Sequence, residues 1–420
     1  MTRVSNSKLL ALILMLQFSC QGAFAGGLAA PFEVENASVL PPSIRNPRLK
    51  NINSWIEGKY NAAGTVEGLG EKLNKSLIWD KVISSLTDNT QKNLLKGTLA
   101  SKNLSSADSV GNITGAVNAY VNANVPVLAI GVTDRWTLAL AVPVYKVELS
   151  ADTGFIISPN GQNIINEAKS KDAPKAAEMT LKLSHPLSNT LQTMGYKPIT
   201  SERFTALGDI KLVSKYKLAE TDTDILTFKS DLTFPTGRVS DVDKLVELPT
   251  GDGQYDLGFG LIWDHKLLPN LTWNFYAINT IQLADKLKRR IPTEPEGSLS
   301  ADIENVDRDS GDQYLAGTSV QFGSSTGGIY ANLGYIYQSM QATRFKGHRF
   351  SQERYDWLEN QYPSQMLTSM VGQVGYSSIE SYKSKEFPIP LQANLGFGHP
   401  LSGRNATAAD VYMAELVLFF

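Results

Sequence analysis

Apolar and polar residues alternate one for one in stretch after stretch of this chain, and no run of eighteen apolar residues follows residue 25. Strict alternation marks a strand with one apolar and one polar face. No apolar run is long enough for a membrane helix. A membrane could then be crossed only by strands closed into a barrel, because closure gives every backbone donor and acceptor a partner in lipid.

The strands needed for closure can be read directly. Ile210, Leu212, Ser214, Tyr216 and Leu218 point one way, and Lys211, Lys215 and Lys217 the other. Leu226, Phe228, Ser230, Leu232 and Phe234 oppose Thr227, Lys229, Asp231 and Thr233. Tyr255, Leu257, Phe259, Leu261 and Trp263 oppose Asp256, Gly258, Gly260 and Asp264. Ile329 to Tyr337 and Ile389 to Phe397 repeat the pattern. A soluble sandwich also alternates, but here aromatics stand near the ends of the apolar faces, where a membrane interface favours them. The predicted fold is all-β, a transmembrane antiparallel up-and-down β-barrel of about twelve strands (range roughly 10–14), with helical segments in long outer loops.

The strands fall at roughly 43–61, 114–131, 135–150, 204–219, 224–237, 254–266, 271–284, 312–323, 328–344, 367–381, 386–398 and 409–420. Short connections at 132–135, 219–223, 266–270 and 324–327 alternate with long ones at about 62–113, 151–203, 238–253, 285–311 and 345–366. That asymmetry is the one bacterial barrels show between tight periplasmic turns and long outer loops, and an even strand count puts both termini on the periplasmic side.

Both ends of the chain agree with an outer-membrane destination. Residues 1–25 read as a secretory signal: Arg3 and Lys8, the apolar run Leu9–Leu16, and the small-x-small site Ala23-Phe24-Ala25. The run is too short for a membrane anchor. A lipoprotein signal ending at Cys20 would want leucine where Gln17 stands. Residues 26–420 would then form the barrel, with no cysteine left for a disulfide or a thiolate site. At the far end Tyr412, Ala414, Leu416, Leu418 and Phe420 form one apolar face. Such a strand, ending on phenylalanine, resembles the signal that barrels present to the barrel-assembly machinery. An ordinary buried C-terminal strand is the alternative reading of that strand alone.

Charged residues on the polar phase (Lys211, Lys215, Lys217, Lys229, Asp231, Asp256, Asp264 and Glu415) are candidates to line the lumen. On the lipid face a charge costs roughly 2–4 kcal/mol at mid-membrane. Structural salt bridges account for most of them, and the rest could line a solute path.

No catalytic, cofactor or metal site is expected. None of His185, His265, His348 and His399 has another histidine three to five residues away, and no Gly-x-Ser-x-Gly elbow occurs. Gly251-Asp252-Gly253 reads as a turn because calcium-loop spacing is missing. The net charge of −2 gives no basic footprint for nucleic acid.

Several segments resemble an outer-membrane transporter family named for the meta-pathway of phenol degradation. They are Val39-Leu-Pro-Pro-Ser-Ile-Arg-Asn-Pro47, Ile130-Gly-Val-Thr-Asp-Arg-Trp-Thr-Leu-Ala-Leu-Ala-Val-Pro143, Leu207–Tyr216 with Leu232-Thr-Phe-Pro-Thr-Gly237, and Gly253–Leu261. The resemblance is clearest over 130–285. It implies passage of hydrophobic or aromatic compounds, by analogy with long-chain fatty acid transporters, and brings no catalytic residues.

The expected function is a passive outer-membrane channel for small hydrophobic or aromatic compounds, with membrane lipid, the assembly machinery and a hydrophobic solute as partners. The alternative is a structural or surface-interaction barrel with a closed lumen and partner-binding loops. The inserts 62–113 and 151–203 carry apolar residues at near-helical spacing. Leu69, Leu73, Leu77 and Trp79 on one and Leu181 on the other are candidates for an apolar mouth; simple packing of the two inserts is the competing reading. Locally, Asp134 is placed to accept a bond within a tight turn, Pro143 belongs at a strand end or bulge, and Pro235-Thr-Gly237 should stop a strand.

Overall fold

The computed structural model describes residues 28–31, 34–86, 88–172, 186–295 and 299–420. The leader 1–25, Leu181 and His185 lie outside the described residues.

Twelve strands close into an antiparallel barrel. They are β1 (Arg45–Ile56), β2 (Ser109–Gly131), β3 (Trp136–Ala141 continued by Val144–Ile157), β4 (Glu202–Leu207 continued by Ile210–Glu220), β5 (Asp224–Phe234) and β6 (Asp256–Leu268). The remainder are β7 (Leu271–Gln282), β8 (Gln313–Ser324), β9 (Gly327–Met340), β10 (Gln365–Ser377), β11 (Leu391–Arg404) and β12 (Val411–Leu418). Each pairs with its neighbours in sequence, and β1 closes the ring on β12 from Arg48↔Val417 to Ser54↔Val411. Phe420 and Arg45 seal that seam by exchanging two backbone hydrogen bonds of 2.9 Å.

Alternation decides what each side of the wall meets. Along β12, Val411, Met413, Glu415 and Val417 are buried while Tyr412, Ala414 and Leu416 are exposed. On β9, Ile329, Leu333, Tyr335 and Tyr337 are exposed and Tyr330 and Ile336 buried. Leu128, Leu140, Leu212, Phe228, Leu261, Phe275, Phe322 and Leu395 continue this exposed apolar face across other strands. Soluble monomers rarely expose apolar patches beyond a few hundred Å². A belt spread over the whole wall is a surface for lipid.

β2 is 23 residues long and reaches well beyond the ring. Its lower part pairs β1 and the first segment of β3, while Gly111–Asn124 pairs Ile157–Val144. The wall bends where β3 breaks at Val142-Pro143 and β4 at Gly208-Asp209. Pro143 thus sits at a break, as its missing N–H requires, and its carbonyl accepts from the Gly208 amide at 2.8 Å. A Cβ on Gly208 would come within 2.3 Å of the Tyr145 ring, so only glycine fits the bend. β5 ends at Phe234, just before Pro235.

Three local expectations need correction. In the β2–β3 turn it is Thr133 Oγ1, not Asp134, that accepts a local bond, from the Arg135 amide at 3.2 Å. The apolar spacing over 66–100 is helical only in its second half. It forms a hairpin (Gly58–Tyr60 with Val66–Gly68) and a strand Lys75–Ile78 against β2 before α1 (Trp79–Ser85) and α2 (Asn89–Ser101) begin. Gly70 lies so close to β2 that a Cβ would fall 2.5 Å from the Gly115 carbonyl oxygen, and that edge pairing overrides helix periodicity. Third, the expected strand bounds, roughly 367–381 and 386–398, leave only a few residues between β10 and β11. The connection is longer, because β11 starts at Leu391 and 378–390 hold a helix, Ile379–Lys383. Glu380 ties that helix to the neighbouring turn, its amide donating to the Thr326 carbonyl (2.9 Å) and its carboxylate accepting from Thr326 Oγ1 (2.6 Å).

At the long-loop end, α1, α2 and α3 (Pro159–Lys171) share a core above the ring. Ser158 caps α3, accepting from the Gly161 amide at 2.9 Å with Pro159 in the first turn. A separate three-stranded sheet, Asp285–Arg290, Ile303–Asp309 and Arg344–Lys346, packs on the helix Gln352–Glu359.

Candidate functional site: a plugged lumen and a cavity above it

The segment before β1 runs through the lumen. At the long-loop end the Leu28 amide donates to Gln365 Oε1 (2.8 Å), and Leu28 packs with Tyr60, Met340 and Leu367. Lower down Ala30 packs among Ile52, Ala123, Val411 and Met413 of β1, β2 and β12. Ala37, fully buried, meets Ile262, Tyr276, Ile336 and Val371 on the opposite wall. The Leu40 amide donates to Thr137 Oγ1 (2.7 Å) at the short-turn end, and the chain reverses into β1 through Ser43, whose φ is 67°. The lumen wall is cut away for this plug. A Cβ on Gly398 would stand 1.9 Å from the Pro31 carbonyl oxygen, and one on Gly334 2.8 Å from Val34.

Polar contacts hold the plug in register. Lys215 of β4 and Lys229 of β5 are cross-strand partners, and Glu35 sits between them. Lys215 Nζ lies 3.2 Å from Glu35 Oε2 and donates to the Asn36 carbonyl at 2.9 Å, while Lys229 bonds the other carboxylate oxygen. The Ala37 amide donates to Asp264 Oδ2 (3.0 Å), which Asn274 also supports (2.6 Å to Oδ1), and Thr227 Oγ1 donates to the Ala37 carbonyl (2.5 Å).

The structure therefore divides seven of the eight candidate lumen residues into two groups. Lys215, Lys229 and Asp264 grip the plug. The others are held within the wall: Lys211 pairs Asp231 (3.2 Å), Lys217 pairs Glu220 (2.5 Å), and Glu415 accepts from Asn394 (2.8 Å) and faces Lys50 (3.7 Å). Asp256 Oδ1 has no hydrogen-bond partner among the described residues. Sequence reasoning missed the plug itself. The available clue was two lysines at one register on neighbouring lumen faces, which require a counter-charge.

Leu69, Leu73, Leu77 and Trp79 lie buried together in the loop-end core, with Leu95, Leu99, Ile164 and Ile165. The open space is elsewhere, a cavity of about 550 Å³ directly above the head of the plug. Tyr60, Met340 and Gln365 touch both the cavity and Leu28. Its walls carry Lys59, Lys72, Arg289 and Arg308 against Glu67 and Asp252. Asp252 forms the turn read from the sequence, its Oδ1 accepting from the Gln254 amide at 2.8 Å with Gly253 at φ 88°. Among the described residues no three metal-ligating side chains gather.

A plugged, lipid-belted twelve-stranded ring defines a membrane-spanning barrel of outer-membrane type. No family model matches the sequence, and no curated protein does. Among solved structures, the chain is similar to an outer membrane channel from Pseudomonas putida F1, with a TM-score of 0.50 and 12% identity over 92% of this chain and 100% of that one. The Pseudomonas putida toluene transporter TodX matches 96% of this chain and 98% of its own at 10% identity and TM-score 0.33. The Ralstonia pickettii toluene transporter TbuX matches 99% and 100% at 10% and 0.34. The first of these shows the shared barrel fold; the other two overlap too loosely to add to it.

Proposed function

We propose that this chain is a passive outer-membrane channel, without catalytic chemistry, for small hydrophobic or aromatic compounds. The long loops face outward and the short turns the periplasm. The observation that carries the reading is the plug: a lumen threaded by its own chain does not suit free diffusion of polar solutes. The plug is seated by alanines, glycine notches and a few polar contacts and is not a strand of the wall, so its release would break no strand pairing of the ring. A cavity of ligand size waits above it. A sealed structural barrel would need neither that cavity nor a cut-away wall.

The test is transport in liposomes holding the purified protein. The expected result is entry of a small aromatic probe with little entry of a small sugar. Equal exclusion of both would favour the closed structural barrel, and free entry of both would make it a general pore. Membrane fractionation should place the protein in the outer membrane; recovery as a soluble protein would end the proposal.

A further inference from the structure

We propose that the cavity above the plug is a binding site for the anionic head of an amphiphile, a carboxylate on an aromatic or acyl body. This rests on the channel reading and narrows its solute class.

Arg289 carries the inference. It lines the cavity, is only 7% exposed, and has no carboxylate within 4.0 Å among the described residues. Its hydrogen bonds leave from Nη1 alone, to Ser240 Oγ (3.2 Å) and the Lys288 carbonyl (3.4 Å), while Nε is buried without a partner. Its neighbours in sequence and space are matched. Arg290 pairs Asp243 (2.5 Å) and Arg308 pairs Asp285 (2.8 Å). A buried guanidinium is normally paired, because removing it from water is costly without an anion to face. Its planar fork suits a carboxylate.

The remaining charges add to this. Lys59 shares Glu67 at 3.6 Å with Lys72 close by, so one carboxylate serves two ammonium groups. Of the four cations in the walls, Arg308 is matched by Asp285 behind them, and Lys59, Lys72 and Arg289 face the two lining carboxylates, Glu67 and Asp252. Tyr60 and Met340 supply apolar surface for the body of the ligand, and the Tyr362 ring, 5.8 Å from the Arg289 guanidinium, backs the cation without giving it a counter-charge. A neutral hydrocarbon would leave the buried guanidinium as it is; an amphiphilic anion would complete it.

The experiment measures equilibrium binding to the purified barrel in nanodiscs, with 4-butylbenzoate as probe and 4-butylbenzyl alcohol as its neutral counterpart. The benzoate should bind at least about tenfold more tightly, the ratio equivalent to 1.4 kcal/mol. Arg289→Gln and Lys72→Gln should each erase that preference. Arg289→Lys should keep part of it, and Lys286→Gln, on the exposed side of the same strand, should not change it. Heat-modifiable migration verifies that each variant is folded; if Arg289→Gln is not, Lys72→Gln decides. Equal affinity for the two probes, or a preference that survives both Gln variants, overturns the proposal. So does displacement of the benzoate by inorganic phosphate at equal concentration, which marks a site for phosphate-bearing lipid or free anion. Charge-dependent binding without liposome transport would sink the channel reading and leave the site standing. Transport of both probes with charge-blind binding would do the reverse.

Discussion

Lys215 and Lys229 stand opposite each other across two neighbouring strands, a pairing that repels unless something lies between them. Glu35 is that something, and it arrives from the plug rather than the wall. Glu35→Gln should therefore loosen the plug while leaving the ring intact. Removing one charge-assisted hydrogen-bonding partner costs on the order of 2 kcal/mol, so the closed-to-open ratio should fall about thirtyfold. Single-channel recording should show larger and more frequent openings that favour anions, since Lys215 and Lys229 then line the path without the Glu35 counter-charge. Unchanged conductance would mean that packing alone retains the plug. On the outside, Leu395→Arg near the middle of β11 should destabilise the barrel by roughly 2–4 kcal/mol, measured by urea unfolding in liposomes, because Leu395 is 67% exposed to lipid.

The same seam that completes the ring explains why its last strand was so readable. β12 has one face for lipid and one for the lumen, so alternation survives undisturbed to Phe420. Deleting Phe420 removes both hydrogen bonds to Arg45, and the heat-modifiable folded form should drop in outer-membrane fractions; normal assembly would deny the terminal strand its role as a signal. All twelve barrel strands were legible for this reason. The outer segments were legible only in part: their helices at Trp79–Ser85, Asn89–Ser101 and Pro159–Lys171 follow the apolar spacing, but the stretch before them does not. Around Leu69–Ile78 the apolar spacing is set by a shared core, while Gly70 and the edge of β2 dictate backbone form. The plug was invisible to periodicity because it has none: it is an extended segment matched to notches contributed by distant strands.

At the scale of the whole molecule, the cavity and lumen form one column with the plug as its floor, and charge at the top should respond to pH. Burial lifts Asp252 to about 6, with Asp209 and Asp285 adding and the Gln254 amide and Arg308 opposing. Burial also brings Lys72 down to about 8, aided by Lys59 and Lys75 and opposed by Glu67. Near pH 7 Asp252 is mostly ionised and Lys72 mostly protonated. Carboxylate binding should strengthen as pH falls through about 6, where Asp252 becomes neutral, and weaken as pH rises through about 8, where Lys72 loses its proton. Asp252→Asn should flatten the acid limb and Lys72→Gln the alkaline one. A pH-independent affinity would separate both groups from the site.

Leu28 sits among the outer loops although β1 starts at the opposite end of the ring, so the polypeptide enters its own barrel from the top. Threading a strand through a finished hoop is slow, which means the hoop should close around the strand rather than before it. It also means that the amino end of the described chain emerges on the loop side, which corrects the expectation that both termini lie on the periplasmic side: strand parity fixes only where β1 starts, and the plug carries the chain back through the ring. With the loops facing outward, a short epitope spliced just ahead of Leu28 should be stained by antibody on intact cells, whereas one inserted at Pro269-Asn270 should be stained only after the envelope is opened.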